Sequence, residues 1–178
     1  RAARTVFDTL FSCLTAGLAP VLCFTTEEAW LVRHGEAPTE VPESVHLRTF
    51  PALPAGWRDD GLAERWERLR SIRRVVTGAL EKERAEKRIG ASLEAAPTVH
   101  IDSVDYLLCL GVDFDEICIT SGLALSPAPA PDGAFTLPDV EGVAVVPARA
   151  TGEKCARCWQ VLPDVGKAAD HPALCGRC

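Results

Sequence analysis

The spacing of apolar residues predicts two helices near the start of the chain. The first is expected over residues 1–18, because apolar side chains recur there at intervals of three and four: Val6, Phe7, Leu10, Phe11, Leu14 and Leu18. The second is predicted from an N-cap at Thr25 or Thr26, with carboxylates in its first turn, to about His34. Its Trp30 lies on the apolar face, so this side chain is expected in a core.

A third and longer helix is predicted from Gly61 to about Arg88, after a loop rich in proline and glycine over residues 35–60. Its buried stripe follows spacings of three and four residues: Leu62, Trp66, Leu69, Ile72, Val76 and Leu80. The first ninety residues are therefore predicted to be helical.

The pattern changes after Gly90 to short segments of two kinds. Strands are predicted at 97–101, 114–119 and 143–146, with a short helix at 104–110 and an exposed loop at 126–133. We therefore predict an α+β protein of three parts: a partial helical bundle (1–90), a small α+β junction unit (91–150) and a terminal segment (151–178).

Composition indicates a soluble globular chain that is a piece of a longer protein. Hydrophobic residues make up 47% of its 178 positions, and no apolar run reaches the length needed to span a bilayer. The net charge is −6, the sequence contains no methionine, and residues 91–150 hold most of the acidity. We expect that acidic block to face away from any nucleic acid.

One face of the third helix is rich in arginine, and two interpretations remain open. The face can be a solvated surface laced by pairs such as Glu64–Arg68 and Glu83–Lys87. Alternatively, it can contact RNA phosphates, in which case the candidate residues are Arg70, Arg73, Arg74, Arg84 and Arg88.

Four cysteines near the end of the chain predict a structural metal site. Cys155 and Cys158 form one C-x₂-C knuckle, and Cys175 and Cys178 form a second after sixteen residues. This arrangement is typical of a tetrahedral Zn²⁺ site with four thiolates, which leaves no open position for catalysis. Disulfides are the alternative, but Cys13, Cys23, Cys109 and Cys118 stand singly among apolar residues, as reduced thiols do. His171 is expected to be a surface loop histidine.

Three separated stretches resemble one family. Ala19-Pro-Val-Leu-Cys-Phe-Thr-Thr-Glu-Glu-Ala-Trp30 is similar to a helix junction in the anticodon-binding bundle of class I aminoacyl-tRNA synthetases for branched aliphatic amino acids. Lys87-Arg-Ile-Gly-Ala-Ser-Leu-Glu-Ala95 and the cysteine-rich segment, with Asp164-Val-Gly166, resemble the bacterial isoleucyl-tRNA synthetase family. That family's two nucleotide-binding signatures, His-x-Gly-His and Lys-Met-Ser-Lys-Ser, are absent from this sequence.

The resemblance implies a tRNA-binding appendage rather than a catalytic domain, so no catalytic residue is expected here. Family members are cytoplasmic monomers that join isoleucine to tRNA(Ile) with ATP and Mg²⁺, which act in a catalytic domain outside this chain. The expected partners are the anticodon arm of tRNA(Ile) and the remainder of the same synthetase chain, with no membrane. The role would be to hold the anticodon arm so that the acceptor end reaches the active site.

Within the terminal segment, four residues are candidates for RNA contact. Trp159 would stack on an anticodon-loop base, or would instead cover the metal. Lys154, Arg157 and Arg177 sit in or against the knuckles, where they would reach phosphates or instead donate to neighbouring carbonyls.

Other classes of protein share single features with this chain. Some DNA-repair glycosylases carry a zinc finger with the same cysteine spacing, but they need an N-terminal nucleophile that is absent here. His34-Gly-Glu36 mimics the H-x-E element of zinc deaminases, although this reading leaves one knuckle unused. A zinc ribbon that docks other proteins is the third alternative.

Overall fold

The computed structural model describes residues 2–35 and 44–178. These residues belong to two compact units, Arg1–Arg58 and Asp59–Cys178. The sequence instead predicted divisions after residues 90 and 150. The reason for the difference is the third helix, whose apolar stripe packs on the sheet that follows it.

The first unit contains the helices α1 (Ala2–Leu18) and α2 (Cys23–His34), as predicted, and two short 3₁₀ turns at Val45–Leu47 and Ala55–Trp57. Trp30 is 2% exposed and lies in a small core with Ala19, Val45 and the ring of Phe11. The predicted core position of Trp30 is therefore confirmed. Much of the predicted stripe on α1 is exposed, including Val6, Phe7, Leu10, Leu14 and Leu18.

The predicted start of α2 is wrong. The helix begins at Cys23, and the hydroxyl of Thr26 donates to the carbonyl of Leu22 at 2.9 Å instead of accepting from a helix amide. Glu27 consequently lies beyond the first turn. Its carboxylate accepts hydrogen bonds from the Ser44 hydroxyl at 3.0 Å and from the Val45 amide at 2.9 Å.

The second unit begins with the long helix α3 (Asp60–Ala85), which Asp59 caps by accepting from the Leu62 amide at 2.9 Å. Leu69, Ile72, Val76 and Leu80 are buried as predicted, and Trp66 packs against the same core. Leu62 departs from the prediction at 47% exposed. A stripe fitted by spacing alone therefore extends one turn too far towards the start of the helix.

A four-stranded sheet lies against α3. Its strands are β1 (Thr98–Ile101), β2 (Ala124–Ser126), β3 (Phe135–Leu137) and β4 (Val140–Val146), in the order β2-β1-β4-β3. β1 pairs in parallel with β2 and antiparallel with β4, which forms a hairpin with β3. A Cβ at Gly78 of α3 would lie 3.0 Å from the ring of Phe135, so glycine permits this close approach.

Two short helices, α4 (Ser103–Cys109) and α5 (Phe114–Cys118), connect β1 to β2. The prediction of α4 is confirmed, but the predicted strand over 114–119 is wrong. Phe114 and Cys118 are both buried and stand four residues apart, the helical interval. Ile119 then ends the helix in the left-handed conformation at φ 57°.

The last strands are β5 (Glu153–Lys154) and β6 (Val161–Leu162), which form a small antiparallel hairpin around the first knuckle. Together with the helices and the sheet, this hairpin confirms the predicted α+β class. Among the described residues, no helix is long and apolar enough to cross a bilayer.

Candidate metal centre

The four cysteines of the two knuckles come together at one point in the structure. The Sγ atoms of Cys155, Cys158, Cys175 and Cys178 all lie within 4.8 Å of one another. Cys155 and Cys175 are buried, whereas Cys158 and Cys178 are half-buried. The two knuckles therefore present one inward and one more accessible sulfur each.

This cluster has the size that a zinc ion requires. Thiolates bind Zn²⁺ at about 2.3 Å, and a tetrahedron of that radius places its sulfurs about 3.8 Å apart. The Sγ atoms of Cys158 and Cys175 are 3.8 Å apart. The amide of Cys175 also points at Cys155 Sγ, at 3.4 Å, and such a contact stabilises a thiolate. These residues can hold a zinc ion through four sulfurs, which leaves no coordination position open for water or substrate.

The electrostatics of the cluster also fit a cation. Backbone N–H groups of Cys158 and Cys175 lower the pKa of the Cys155 thiol to about 6. Burial, followed by the neighbouring thiols, raises the pKa of Cys178 to about 12. The Cys155 thiol therefore loses its proton more readily than the Cys178 thiol, and a bound cation would compensate the charge of the thiolates.

Backbone hydrogen bonds build the first knuckle. The Cys155 amide donates to the Gln160 carbonyl at 2.9 Å, and the Trp159 amide donates to the Cys155 carbonyl at 3.0 Å. The chain reverses through Trp159, which adopts the left-handed conformation at φ 66°. The result is a tight turn that presents both sulfurs of the knuckle to the same point.

Contacts between the two knuckles complete the ribbon, by which we mean residues 151–178. The Ala156 amide donates to the Ala173 carbonyl at 2.9 Å. In the second knuckle, the Gly176 amide donates to the carboxylate of Asp164 at 2.8 Å. Asp164 belongs to the Asp164-Val-Gly166 motif, and its carboxylate caps the second knuckle through this contact. The one histidine of the ribbon, His171, is exposed and is not part of the sulfur cluster.

The other four cysteines are not part of this cluster. Cys109 and Cys118 are buried in the core of the second unit, and burial raises the pKa of both thiols, that of Cys118 to about 12. Cys23 is exposed and Cys13 is half-buried in the first unit. All four are free thiols.

Trp159 is the one large aromatic residue of the ribbon, and its side chain is exposed. It is 63% exposed, and the ammonium of Lys154 lies 6.0 Å from the centre of its ring. A side chain that covered the metal would be withdrawn from solvent. The geometry therefore presents an indole face with an adjacent cation to the outside of the ribbon.

The two arginines of the ribbon already have partners. Arg157 Nη1 donates to the carbonyl of Cys178 at 3.2 Å, and Arg177 Nη1 lies 2.9 Å from the carboxylate of Glu116 in α5. Arg177 and Glu116 are both more than half exposed, so this ion pair contributes little to stability and can rearrange.

The arginines of α3 do not form the pairs that the sequence predicted. Arg68 pairs with Asp105 instead of Glu64, and Glu83 pairs with Arg88 at 2.5 Å instead of Lys87. The spacing of charges in the sequence predicts ion pairs only within one helix. A carboxylate from another element, such as Asp105 of α4, can take the arginine instead. These pairs correct the interpretation of the face as one laced by i, i+4 pairs.

The five candidate arginines of α3 and the turn after it are all exposed, but most are engaged. Arg73 donates to the carbonyl of Ile117 at 2.8 Å, Arg74 pairs with Asp139, and Arg84 pairs with Glu81 at 2.6 Å. Arg88 pairs with Glu83 and with Glu86. Within the described ranges 2–35 and 44–178, Arg70 makes no ion pair.

Of the deaminase-like element, the structure describes His34 at the end of α2. His34 packs against the ring of Trp30, with 3.9 Å between the ring centres, and burial lowers its pKa. Glu36 lies outside the described residues. Since both knuckles contribute to one sulfur cluster, neither is left unused.

Two family models match most of the chain. The model described as "Anticodon-binding domain of tRNA ligase" matches residues 1–100, and the model described as "Zinc finger found in FPG and IleRS" matches residues 152–178. The second match and the four-sulfur cluster together indicate a zinc ion.

Curated relatives are similar over the full chain. The isoleucine–tRNA ligase of Brucella abortus is 55% identical over 99% of this chain, and that of Ruegeria pomeroyi is 54% identical over 100% of it. The isoleucine–tRNA ligase of Agrobacterium fabrum is 51% identical over 99% of this chain. In each case the chain spans 18% of the length of the relative.

Proposed function

The chain belongs to the family of anticodon-binding domains of tRNA ligases, and from this premise we propose that it is the C-terminal tRNA-binding part of an isoleucine–tRNA ligase. Its partner is the anticodon arm of tRNA(Ile). It holds that arm so that the acceptor end of the tRNA reaches the active site of the parent enzyme. Support comes from the identity to three isoleucine–tRNA ligases over nearly the whole chain.

The chemistry of ligation belongs to the rest of the parent protein. There, ATP and Mg²⁺ activate isoleucine, and this chain alone is inactive. We propose that the parent works as a cytoplasmic monomer, so that the remainder of the same polypeptide is the second partner of this part. This division of labour assigns binding and positioning, and no catalytic residue, to residues 1–178.

Zinc is assigned a structural role. One Zn²⁺ held by Cys155, Cys158, Cys175 and Cys178 would join the two knuckles and supply the cross-link that a small ribbon needs. The ribbon has two strands of only two residues each, so its own backbone pairing is slight. A metal cross-link is therefore the main source of its order.

The observation that carries the proposal is the exposed indole of Trp159 with Lys154 beside it. Single-stranded RNA loops are read by stacking their unpaired bases on aromatic rings, and each stacked base contributes about 1–3 kcal/mol. A cation next to the ring can meet the phosphate of the same nucleotide. We propose that this pair receives one base of the anticodon loop.

Arginines around this pair contribute phosphate contacts. Arg157 and Arg177 form the second part of this candidate surface, and both residues are exposed. Arg70, Arg73, Arg74, Arg84 and Arg88 are the weaker candidates, since all except Arg70 are held by a carbonyl or a carboxylate. With a net charge of −6, the chain has no broad basic field.

The test is binding of tRNA(Ile), measured against a non-cognate tRNA over a series of salt concentrations. A shallow salt dependence with clear discrimination is expected, because stacking and base contacts do not release counterions. Equal affinity for the two tRNAs together with a steep salt dependence would leave only non-specific phosphate binding. Retention of another protein without any tRNA would favour the docking module instead.

A further inference from the structure

A buried hydroxyl joins the ribbon to the sheet of the second unit. Ser121, which follows α5 and precedes β2, is 8% exposed. Its Oγ accepts a hydrogen bond from the Val161 amide of β6 at 2.7 Å and donates one to the carbonyl of Leu93 at 2.5 Å. We propose that Ser121 is a positioning residue, which fixes the ribbon against the sheet so that Trp159 is presented to RNA in one orientation.

Ser121 can hold the ribbon in place because backbone hydrogen bonds fix the position of Ser121 itself. Its amide donates to the Ala95 carbonyl at 3.0 Å, and the Ala124 amide donates to the Pro97 carbonyl at 3.0 Å. The next residues enter β2, which pairs with β1 in the sheet. A displacement of Ser121 would therefore break sheet contacts as well as its own.

The segment that receives these bonds belongs to the second resembling motif, Lys87–Ala95. It contains the 3₁₀ turn Ser92–Glu94, from which Leu93 offers its carbonyl to the Ser121 hydroxyl. The Ala95 carbonyl accepts from the Ser121 amide. The motif thus supplies backbone acceptors, and no side chain of the motif reaches the ribbon in these contacts.

On the ribbon side, the bond falls close to the candidate RNA-binding surface. Val161 stands two positions after Trp159 and three after Cys158. The preceding residue, Gln160, accepts from the Cys155 amide and donates through its side chain to the Thr120 carbonyl at 3.4 Å. The hydroxyl therefore holds the strand that leaves the first knuckle, and a small rotation there would move the indole of Trp159.

The Ser121 hydroxyl satisfies both neighbours. The Leu93 carbonyl needs a donor and the Val161 amide needs an acceptor, and an O–H group is both. The ribbon also contacts α5 through Arg177–Glu116, an exposed ion pair that solvent screens. The orientation of the ribbon is consequently expected to depend on Ser121 more than on the visible ion pair.

This inference rests on the proposed function only where RNA is concerned, and a test can separate the two. In the zinc-loaded chain, Ser121→Ala is compared with Ser121→Thr, which keeps the hydroxyl. The second control is Ser126→Ala, which removes a serine hydroxyl of β2 that accepts only from the Ala128 amide in the described contacts. Three quantities are measured: bound zinc, exchange of the Val161 amide hydrogen, and affinity for the anticodon stem-loop of tRNA(Ile).

For Ser121→Ala we expect unchanged zinc content, exchange of the Val161 amide faster by about tenfold or more, and RNA affinity lower by about tenfold. Ser121→Thr should restore both, and Ser126→Ala should leave all three unchanged. A merely structural hydroxyl would lower zinc content and RNA affinity together, and threonine rescue keeps the result interpretable if the alanine variant unfolds.

Unchanged exchange at Val161 in Ser121→Ala would overturn the proposal, and so would faster exchange with unchanged RNA affinity. If the unsubstituted chain binds no RNA, the proposed function fails. Exchange then decides on its own whether Ser121 fixes the ribbon.

Discussion

Arg68 of α3 forms a bidentate ion pair with the carboxylate of Asp105 in α4. Its Nε donates to one oxygen at 2.8 Å and its Nη2 donates to the other, while Nη2 also donates to the Glu141 carbonyl of β4 at 3.0 Å. Asp105 is 4% exposed, and its carboxylate has no other cation beside it in the described contacts. One guanidinium therefore connects a long helix, a short helix and a strand.

The two ends of this pair should respond differently to substitution. Arg68→Leu leaves a buried carboxylate without its cation, so we expect the free energy of unfolding to fall by about 3–5 kcal/mol. Asp105→Leu should cost less, because about a third of the Arg68 side chain already reaches solvent. Urea unfolding of both variants measures the difference.

The double variant Arg68→Leu with Asp105→Leu is the control. It leaves no unpaired buried charge, so it should be more stable than Arg68→Leu alone. Equal losses in all three variants would show that packing, and not the buried charge, sets the cost.

Removal of zinc should unfold the ribbon and leave the helices in place. The described helices all lie before residue 119, whereas the ribbon contains only one short hairpin. After chelation we expect the helical circular dichroism to remain and the amides of Ala156 and Gly176 to exchange rapidly. A parallel loss of helical signal would contradict a local role for the metal.

Trp159→Ala should separate RNA binding from metal binding. The side chain is exposed, so zinc content should not change, while loss of one stacked base should weaken RNA binding by about 5- to 150-fold. Trp57→Ala is a matched control, because Trp57 is also more than half exposed and lies in the first unit. Unchanged RNA affinity in Trp159→Ala would return this residue to a structural role.

The eight cysteines should fall into three classes of reactivity. In the zinc-loaded chain, we expect an aromatic disulfide reagent to modify Cys23 first and Cys13 more slowly. Burial raises the pKa of Cys109 and Cys118, so both should react only on unfolding. Addition of a chelator should release four further thiols, and release of fewer would mean that a knuckle cysteine is not a ligand.

Gly152→Ala should damage the ribbon without touching a ligand. The φ of Gly152 is 118°, and an added Cβ would lie 2.3 Å from the carbonyl group of Leu162, so backbone would have to move. We expect weaker retention of zinc in competition with a chelator. Gly133→Ala is the control: its φ is 83°, no atom lies within 4 Å of the new Cβ, and it lies outside the ribbon, so zinc retention should not change. Equal zinc retention in the two variants would refute the close contact.

The sequence predicted what depends on local periodicity. Leu69, Ile72, Val76 and Leu80 recur over three turns of a helix, and all four are buried. The knuckle cysteines were equally legible, because two sulfurs from each of two tight turns suit one tetrahedral ion. Each pattern, the apolar stripe of α3 and the pair of C-x₂-C knuckles, repeats along the chain and can therefore be recognised from the sequence.

Short elements escaped prediction for the opposite reason. The five residues of α5 complete little more than one turn, so Phe114 and Cys118 looked like part of a strand. β2 and β3 have three residues each and were missed. Their existence depends on partners in the sheet, and such partners are distant in sequence.

Contacts between distant residues were also beyond the sequence. Ser121 and Arg68 are ordinary residues in their local context, and their importance arises from Val161 and Asp105, which lie about forty residues away. The exposed position of Trp159 likewise depends on its left-handed backbone. The sequence around Ser121, Arg68 or Trp159 carries no local signal for these contacts and this exposure.

The linear arrangement of the ligands has a consequence for synthesis on the ribosome. Translation delivers β4 before either knuckle, so all four strands of the sheet are synthesised before Val161. Cys155 and Cys158 then wait with half a coordination sphere until Cys175 and Cys178 follow. The zinc ion can therefore acquire its fourth ligand only once residue 178 has been made, after every strand of the four-stranded sheet.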